Sequence, residues 1–160
     1  KLVRALEILT ASENDPKKRV ALLRKIARIA SEQLSNIALS FSSLSAALKD
    51  EPELSETRVE IEEVAERGNK WKELVELYGL IANTQSDASL ARLYFMRVAQ
   101  IAEKQLAQVD EAAAAYGLVL ALDASDAEAL DALESLHERT SRWEDLIGVV
   151  QPTPRHVDPR

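Results

Sequence analysis

Apolar residues recur along the chain at intervals of three or four positions, the spacing that places side chains on one face of an α-helix. Such a stripe begins at once with Leu2, Val3, Leu6 and Leu9, and short polar stretches separate it from those that follow. The stripes predict nine helices, at about 2–12, 17–34, 36–49, 53–67, 71–84, 88–106, 109–122, 127–139 and 142–150. Abundant Ala, Leu and Glu, with only 4% aromatic residues, also favour helix. The sequence therefore predicts an all-α fold without strands.

The polar breaks carry residues that favour helix ends. Asp15-Pro16 offers a capping carboxylate and then a proline at the first helical position, where its missing N–H costs nothing. Residues 125–128 and 141–144 have the spacing of a capping box, in which a hydroxyl and a carboxylate satisfy free amides. Gly68-Asn69 suits the left-handed residue that follows a helix. These signals predict helix boundaries at all four places.

The sequence matches itself, without gaps, when it is shifted by 72 residues. Trp71 and Trp143 are separated by this distance. The same shift aligns Leu2-Val3 with Leu74-Val75, Ala27, Ile29 and Ala30 with Ala99, Ile101 and Ala102, Gln33-Leu34 with Gln105-Leu106, Leu48 with Leu120, and Glu66-Arg67 with Glu138-Arg139. Because the matches cover the whole length and pair apolar with apolar residues, we infer an internal duplication. Each unit contains two helical hairpins.

One stretch, Asp110 to Ala129, resembles the second helix of a tetratricopeptide repeat (TPR) running into the next repeat. That family has a small residue, an aromatic residue four positions on, a small residue three further on, and an acidic turn that usually ends in proline. The corresponding residues are Ala112, Tyr116, Val119 and Asp123-Ala124. Val119 stands where Ala is usual and Ala124 where Pro is usual, although Pro52 keeps the proline in the first unit.

The following hairpin continues the resemblance. The family's first-helix apolar residues, turn residue and aromatic residue are matched by Leu130, Leu133, Ser141 and Trp143. Glu134 departs from it, since a Gly or Ala is usual there. The resemblance implies a TPR-like α-solenoid of antiparallel hairpins over residues 1–150. Residues 151–160, which include three prolines, are expected to form an irregular tail or linker.

The aromatic residues follow the apolar stripes. Trp71 and Trp143 each open the second helix of a hairpin after a polar turn. An exposed tryptophan could stack on a sugar or a base, but a pair at matched repeat positions is more typical of a sealed hairpin core. The same interpretation applies to Tyr78, Tyr94, Tyr116, Phe41 and Phe95.

Composition excludes several classes of function. The net charge of −7 opposes binding to nucleic acid, where clustered Lys and Arg are needed. The absence of cysteine excludes disulfides and thiolate chemistry. No apolar run reaches the length needed to span a bilayer, so no membrane insertion is expected. The chain starts at Lys1 within a helical pattern, and we interpret it as a piece of a longer protein, with the cytoplasm as default location.

No group of residues predicts catalysis. The two histidines, His137 and His156, lack the partners and spacing of a zinc site. Asp131, Ser135 and His137 suggest a triad on paper only, because residues two apart on a helix point in different directions. The four glycines stand singly rather than in a phosphate-binding loop. We therefore expect no enzyme activity, cofactor or metal.

Charge is segregated in the first unit. Residues 16–34 carry six bases and one acid, whereas residues 50–66 carry eight acids and one base. In a TPR-like stack these segments lie side by side as the first helices of adjacent hairpins. The pattern indicates intramolecular charge complementarity, and the charge left over is open to a role in binding.

The resemblance implies a protein-interaction scaffold or adaptor that holds a peptide or helix of another protein on its concave face. First helices form that face, and helical phase selects the residues that point into it. The candidate partner-binding residues are Arg24, Arg28, Val59, Glu63, Met96, Gln100, Asp131 and Ser135. Their charge changes from basic through acidic to mixed, which suits a bipolar ligand. The Asn and Lys arrangement by which some relatives hold a C-terminal carboxylate is missing.

Two alternatives stay open at this point. The chain could be a self-assembly module that forms a homo-oligomer, since terminal repeats cut within the pattern expose apolar surface. It could also be a regulatory module of an enzyme. A dependence of molecular mass on concentration would favour the first alternative, and a pocket in which titratable groups converge would favour the second.

Overall fold

The computed structural model describes the backbone of residues 1–150 and the side chains of residues 1–142 and 144. The described residues form eight helices and no strand. The helices are α1 (Leu2–Ser12), α2 (Pro16–Glu32), α3 (Ile37–Asp50), α4 (Ser55–Gly68), α5 (Trp71–Thr84), α6 (Ala88–Lys104), α7 (Val109–Leu122) and α8 (Ala127–Val150). The all-α prediction is confirmed. The predicted tail and the side chain of Trp143 lie outside the described residues.

Each helix packs against the helix that precedes it and the helix that follows it. All substantial backbone contacts in the described part of the chain join consecutive helices, from α1 with α2 to α7 with α8. The helices therefore form a row in which the close backbone packing is between neighbours in the chain. None of the described helices has the length and apolar character required to cross a bilayer.

Helix α2 starts as the sequence predicts. Pro16 is its first residue, and the Asp15 carboxylate accepts a hydrogen bond from the backbone N–H of Lys17 at 3.0 Å. Asp87 caps α6 in the same way, because its carboxylate accepts from the N–H of Ser89 at 2.8 Å. Asp15 and Asp87 are 72 residues apart. The repeat in the sequence is thus accompanied by a repeat in capping geometry.

The ends of α2 and α6 are equivalent as well. Ser35 and Ala107 both have left-handed backbone angles, with φ of 49° and 52°. The N–H groups of Asn36 and Gln108 then reach back to the carbonyls of Ala30 and Ala102, at 2.8 Å in both cases. These bonds satisfy carbonyls that a helix end leaves free. Each helix ends two residues earlier than predicted, since its last predicted residues belong to this turn.

Helix α4 ends at Gly68, and Asn69 takes the predicted left-handed conformation with φ 51° and ψ 48°. A side chain at position 68 would collide with Ile37 on α3, so glycine also permits a close approach of these helices. The next helix starts directly afterwards at Trp71, which is half-buried and packs against the core. The break predicted at this position is confirmed.

The break predicted near residue 141 is wrong. Residues 127–150 form the single helix α8, so residues 1–150 contain eight helices instead of nine. Thr140 and Ser141 stand where α4 has Gly68 and Asn69, and neither favours the left-handed turn. The Thr140 hydroxyl instead donates to the Leu136 carbonyl within the helix, at 2.8 Å.

The capping box at residues 125–128 is also misplaced by one residue. Asp126, rather than Ser125, accepts the capping hydrogen bond, from the N–H of Ala129 at 3.0 Å. Ser125 instead donates its N–H and its hydroxyl to Asp123. A carboxylate beside a helix N-terminus gains more than a hydroxyl because of the helix dipole.

The core runs along the row of helices, and aromatic residues join its two halves. Tyr78 on α5 and Tyr94 on α6 are both fully buried, with ring centroids 5.1 Å apart in an edge-to-face arrangement. The Tyr78 hydroxyl donates to Glu62 on α4 at 3.0 Å. Burial, together with Glu62, raises the pKa of Tyr78, so that the hydroxyl stays a neutral donor. The prediction that the tyrosines and Phe95 belong to the core is confirmed.

Candidate binding surface

Ion pairs connect the even-numbered helices along one side of the row. Arg24 on α2 donates to the Glu60 carboxylate on α4 from two guanidinium nitrogens, Nε at 3.1 Å and Nη2 at 2.6 Å. Arg97 on α6 binds Glu62 on α4 at 3.0 and 2.5 Å. The contact between Arg24 and Glu60 is the complementarity predicted between the basic and acidic segments. Fork geometry of this kind fixes orientation as well as charge.

The series continues from α6 to α8. Arg92 binds Asp126 and Glu128, and Arg139 binds Glu103. The hydrogen bond from Arg92, followed by that from the Ala129 N–H, lowers the pKa of Asp126. Charged side chains therefore link the four even-numbered helices side by side on one surface.

A first cleft of about 540 Å³ opens on this surface between α2, α3 and α4. Its floor is formed by Ala27, Leu44, Val64 and Ser40, which are only 1–3% exposed, so that a small part of each side chain reaches the cleft. The Ser40 hydroxyl is satisfied within the floor, because it donates to the Ala27 carbonyl at 2.9 Å. The remaining lining residues are polar and are Arg28, Ser31, Glu32, Glu60, Glu63, Glu66 and Arg67. The cleft combines an apolar floor with a rim that carries both signs of charge.

A second cleft of about 480 Å³ lies along α6 and α8. The residues that line it are Ser89, Arg92, Leu93, Met96, Arg97, Gln100 and Glu128. Met96 is 5% exposed and belongs to the core, so only a small part of its side chain reaches the cleft. Gln100 accepts a hydrogen bond from Arg97 at 2.8 Å. Arg92, Arg97, Gln100 and Glu128 all form hydrogen bonds within the chain, so this cleft offers few polar groups that are free to bind a ligand.

The eight candidate residues do not form one groove. Arg28 and Glu63 line the first cleft, and Met96 and Gln100 line the second. Val59, Asp131 and Ser135 are exposed but line neither cleft. Arg24 is committed to Glu60. The structure thus divides the candidates between two clefts and the surface beside them.

Most residues of the first cleft were not selected as candidates from the sequence, and Ser31, Leu44 and Arg67 are among them. Arg67 was visible there only as part of a matched pair, because it aligns with Arg139 under the 72-residue shift. Ser31 and Leu44 carried no signal, since their importance depends on the size of the side chains that face them from other helices.

Within the part of the chain that the structure describes, no three His, Asp or Glu side chains converge as they would around a metal ion. Asp131, Ser135 and His137 are all exposed on α8.

Comparison with protein-family models gives no match, and neither does a search of curated proteins.

Proposed function

We propose that this chain is a TPR-like α-solenoid that acts as a protein-interaction scaffold and binds a peptide or helix on the surface formed by α2, α4, α6 and α8. The observation that carries this proposal is the first cleft, which has an apolar floor and a charged rim between three helices. Such a combination is typical of sites in which apolar contacts supply affinity and a few polar groups fix orientation.

The repeat supports a solenoid. Substantial backbone contacts that join consecutive helices, and equivalent turns at Ser35 and Ala107, are expected of a stack built from similar units. In such a stack the first helices of successive hairpins line an inner, concave surface. Ion pairs join the even-numbered helices to one another, which suits an extended binding face.

The mixed charge of the surface favours a bipolar partner. Arg28 and Arg67 share the rim of the first cleft with Glu63 and Glu66. A uniformly charged ligand would meet like charges at part of this rim, whereas a ligand with both signs could complement it. The surface therefore suits a peptide or helix that carries acidic and basic residues around an apolar side chain.

Charge reversal on the cleft rim tests this proposal. A peptide-display library is selected against the full chain, and the affinity of the selected peptide is measured for two variants. Arg28→Glu should weaken binding by about tenfold and reduce its dependence on salt. Lys18→Glu is the matched control, because Lys18 is also exposed on α2 but lines neither cleft. Equal affinities of the two variants, with helicity preserved, would place the binding site elsewhere.

A second candidate function, self-assembly, is favoured by one observation on α1. Leu2 and Leu9 are 55% and 54% exposed, whereas the equivalent residues on α5, Leu74 and Ile81, are buried. Helix α1 therefore presents to solvent part of the face by which α5 joins the core, although Leu6 on this face is buried. A second copy of the chain could cover this face with its own helices.

Sedimentation velocity at a series of concentrations tests this candidate. Self-assembly predicts an apparent mass that rises with concentration and is returned to that of a monomer by Leu9→Lys. Ile8→Lys is the matched control, because Ile8 and its equivalent Leu80 are both exposed. A monomer at every concentration would reject the candidate.

A further inference from the structure

The first cleft has a counterpart in the second unit, and there the space is filled by the protein itself. The 72-residue shift carries Ser31 to Glu103, Leu44 to Tyr116 and Arg67 to Arg139. The ring of Tyr116 is buried, and its hydroxyl donates to a Glu103 carboxylate oxygen at 2.9 Å. The other Glu103 oxygen accepts from Arg139. The Tyr116 ring, the Glu103 carboxylate and the Arg139 guanidinium thus satisfy one another within the chain, and we call this arrangement the closed set.

In the first unit the same positions carry smaller residues. Arg67 donates to the Ser31 hydroxyl, which is neutral, and it makes no ion pair with the described residues. Leu44, which is 1% exposed, borders the cleft of about 540 Å³ at the position where the second unit has the larger side chain of Tyr116. A hydroxyl acceptor lacks the Coulomb attraction that a carboxylate would add to the hydrogen bond from a guanidinium. Arg67 is therefore positioned for an anion that the chain does not supply.

We infer that the first cleft binds a partner segment in which an aromatic side chain stands next to a carboxylate. The ring lies on Leu44 and Val64, and the carboxylate pairs with Arg67, so that the ligand replaces Tyr116 and Glu103 of the second unit. Arg28 on the same rim supplies a second cation. This inference rests on the proposed function and names the chemistry of its partner.

The acids of the rim define the rest of the ligand. Glu60 is neutralised by its fork contacts with Arg24. Glu32, Glu63 and Glu66 are exposed at the rim and form no ion pair with the described residues. They repel a ligand that is acidic throughout and attract a cation beside the carboxylate. The partner segment therefore carries an aromatic residue, an Asp or Glu, and a Lys or Arg.

The first test rebuilds the closed set inside the chain. Ser31→Glu should raise the melting temperature by about 2–4 °C, because the new carboxylate pairs with Arg67. Adding Arg67→Gln should remove this gain. Leu44→Tyr in the Ser31→Glu chain should then close the cleft. No gain from Ser31→Glu, or a gain that survives Arg67→Gln, would overturn the inference.

The second test uses small probes on the full chain, followed by NMR of the backbone amides. The anion 3-phenylpropionate should shift the signals of Ser31, Leu44 and Arg67 in a saturable way, and Arg67→Gln should weaken this binding by about tenfold. The cation 3-phenylpropylamine should bind more weakly than the anion, because it has no carboxylate to pair with Arg67. Preference for the amine, equal binding to the Arg67→Gln chain, or no shift at these residues would overturn the inference.

The outcomes distinguish this inference from the proposed function. If a selected peptide binds in an Arg28-dependent way but phenylpropionate does not, the scaffold proposal stands and the ligand chemistry is wrong. If phenylpropionate binds at the cleft and Ser31→Glu with Leu44→Tyr abolishes its shifts, the ligand chemistry is supported. If a selected peptide then binds equally well to that closed variant, the peptide site lies outside the first cleft.

Discussion

Thr57 on α4 is fully buried, and its hydroxyl has no hydrogen-bond partner among the described residues. A buried polar group without a partner costs free energy, because its hydrogen bond to water is lost on folding. The equivalent position in the second unit is Ala129, which is also fully buried. The hydroxyl of Thr57 therefore weakens the fold at a position where the other unit has no polar group.

Thr57→Val, which keeps the shape and removes the hydroxyl, should raise the free energy of unfolding by about 1 kcal/mol. Urea denaturation followed by circular dichroism measures the change. Ser40→Ala is the matched control. Ser40 is equally buried, but its hydroxyl is hydrogen-bonded to Ala27, so its removal should cost about 1 kcal/mol. A loss of stability in Thr57→Val would mean that its hydroxyl has a partner in solution.

Asp126 couples the fold to pH. Its pKa is lowered by Arg92 and by the Ala129 N–H, below the ordinary value of about 3.9 that applies to the unfolded chain. The folded state therefore binds the proton more weakly than the unfolded state. The stability contributed by Asp126 is fully present above about pH 4 and is lost as the pH falls through the folded pKa.

Asp126→Asn should consequently be less stable than the parent chain at pH 7, and the difference should shrink as the pH falls below about 4. Chemical denaturation at a series of pH values measures this convergence. Asp131→Asn, an exposed position on the same helix, is expected to change stability little at any pH. A deficit in Asp126→Asn that persists unchanged at low pH would argue against the role of the charge.

At the scale of the helices, the apolar periodicity predicts the bounds of α1, α5 and α7 as the structure has them. It succeeds there because each helix lies between clear polar breaks. It fails near residue 141, where polar residues and a capping pattern suggest an end. The difference lies in the backbone, since Gly68-Asn69 permits a left-handed turn and Thr140-Ser141 does not favour one. Composition alone does not separate a break from a polar face.

Gly68→Ala tests the close approach of α4 to α3. The added methyl group would collide with Ile37, a β-branched side chain with little freedom to move, so a loss of about 1–3 kcal/mol is expected. Gly79→Ala on α5 is the matched control, since a methyl group there meets no neighbour. It should stabilise the chain by about 0.5–1 kcal/mol through helix propensity. Urea denaturation of both variants measures the contrast, and equal effects would contradict this account.

At the scale of the whole molecule, the sequence predicts the kind of surface but not its clefts. Helical phase and the repeat select Arg28 and Glu63, which both line the first cleft. The cleft itself depends on Ser31 and Leu44 being smaller than Glu103 and Tyr116, and on three helices meeting around them. The periodicity of the sequence predicts on which face of its helix a residue lies. It does not report the space left between side chains that come from different helices.

The packing of each helix on its two chain neighbours also governs how the molecule opens. Because substantial backbone contacts among the described residues join only consecutive helices, opening can start at one end and advance along the row, although the ion pairs between even-numbered helices oppose it. Helix α1 contributes a single buried residue, Leu6, whereas α5 contributes five. The amide hydrogens of α1 should therefore exchange with deuterium well before those of α5. The chain would then loosen from α1 while the helices that form the first cleft remain folded.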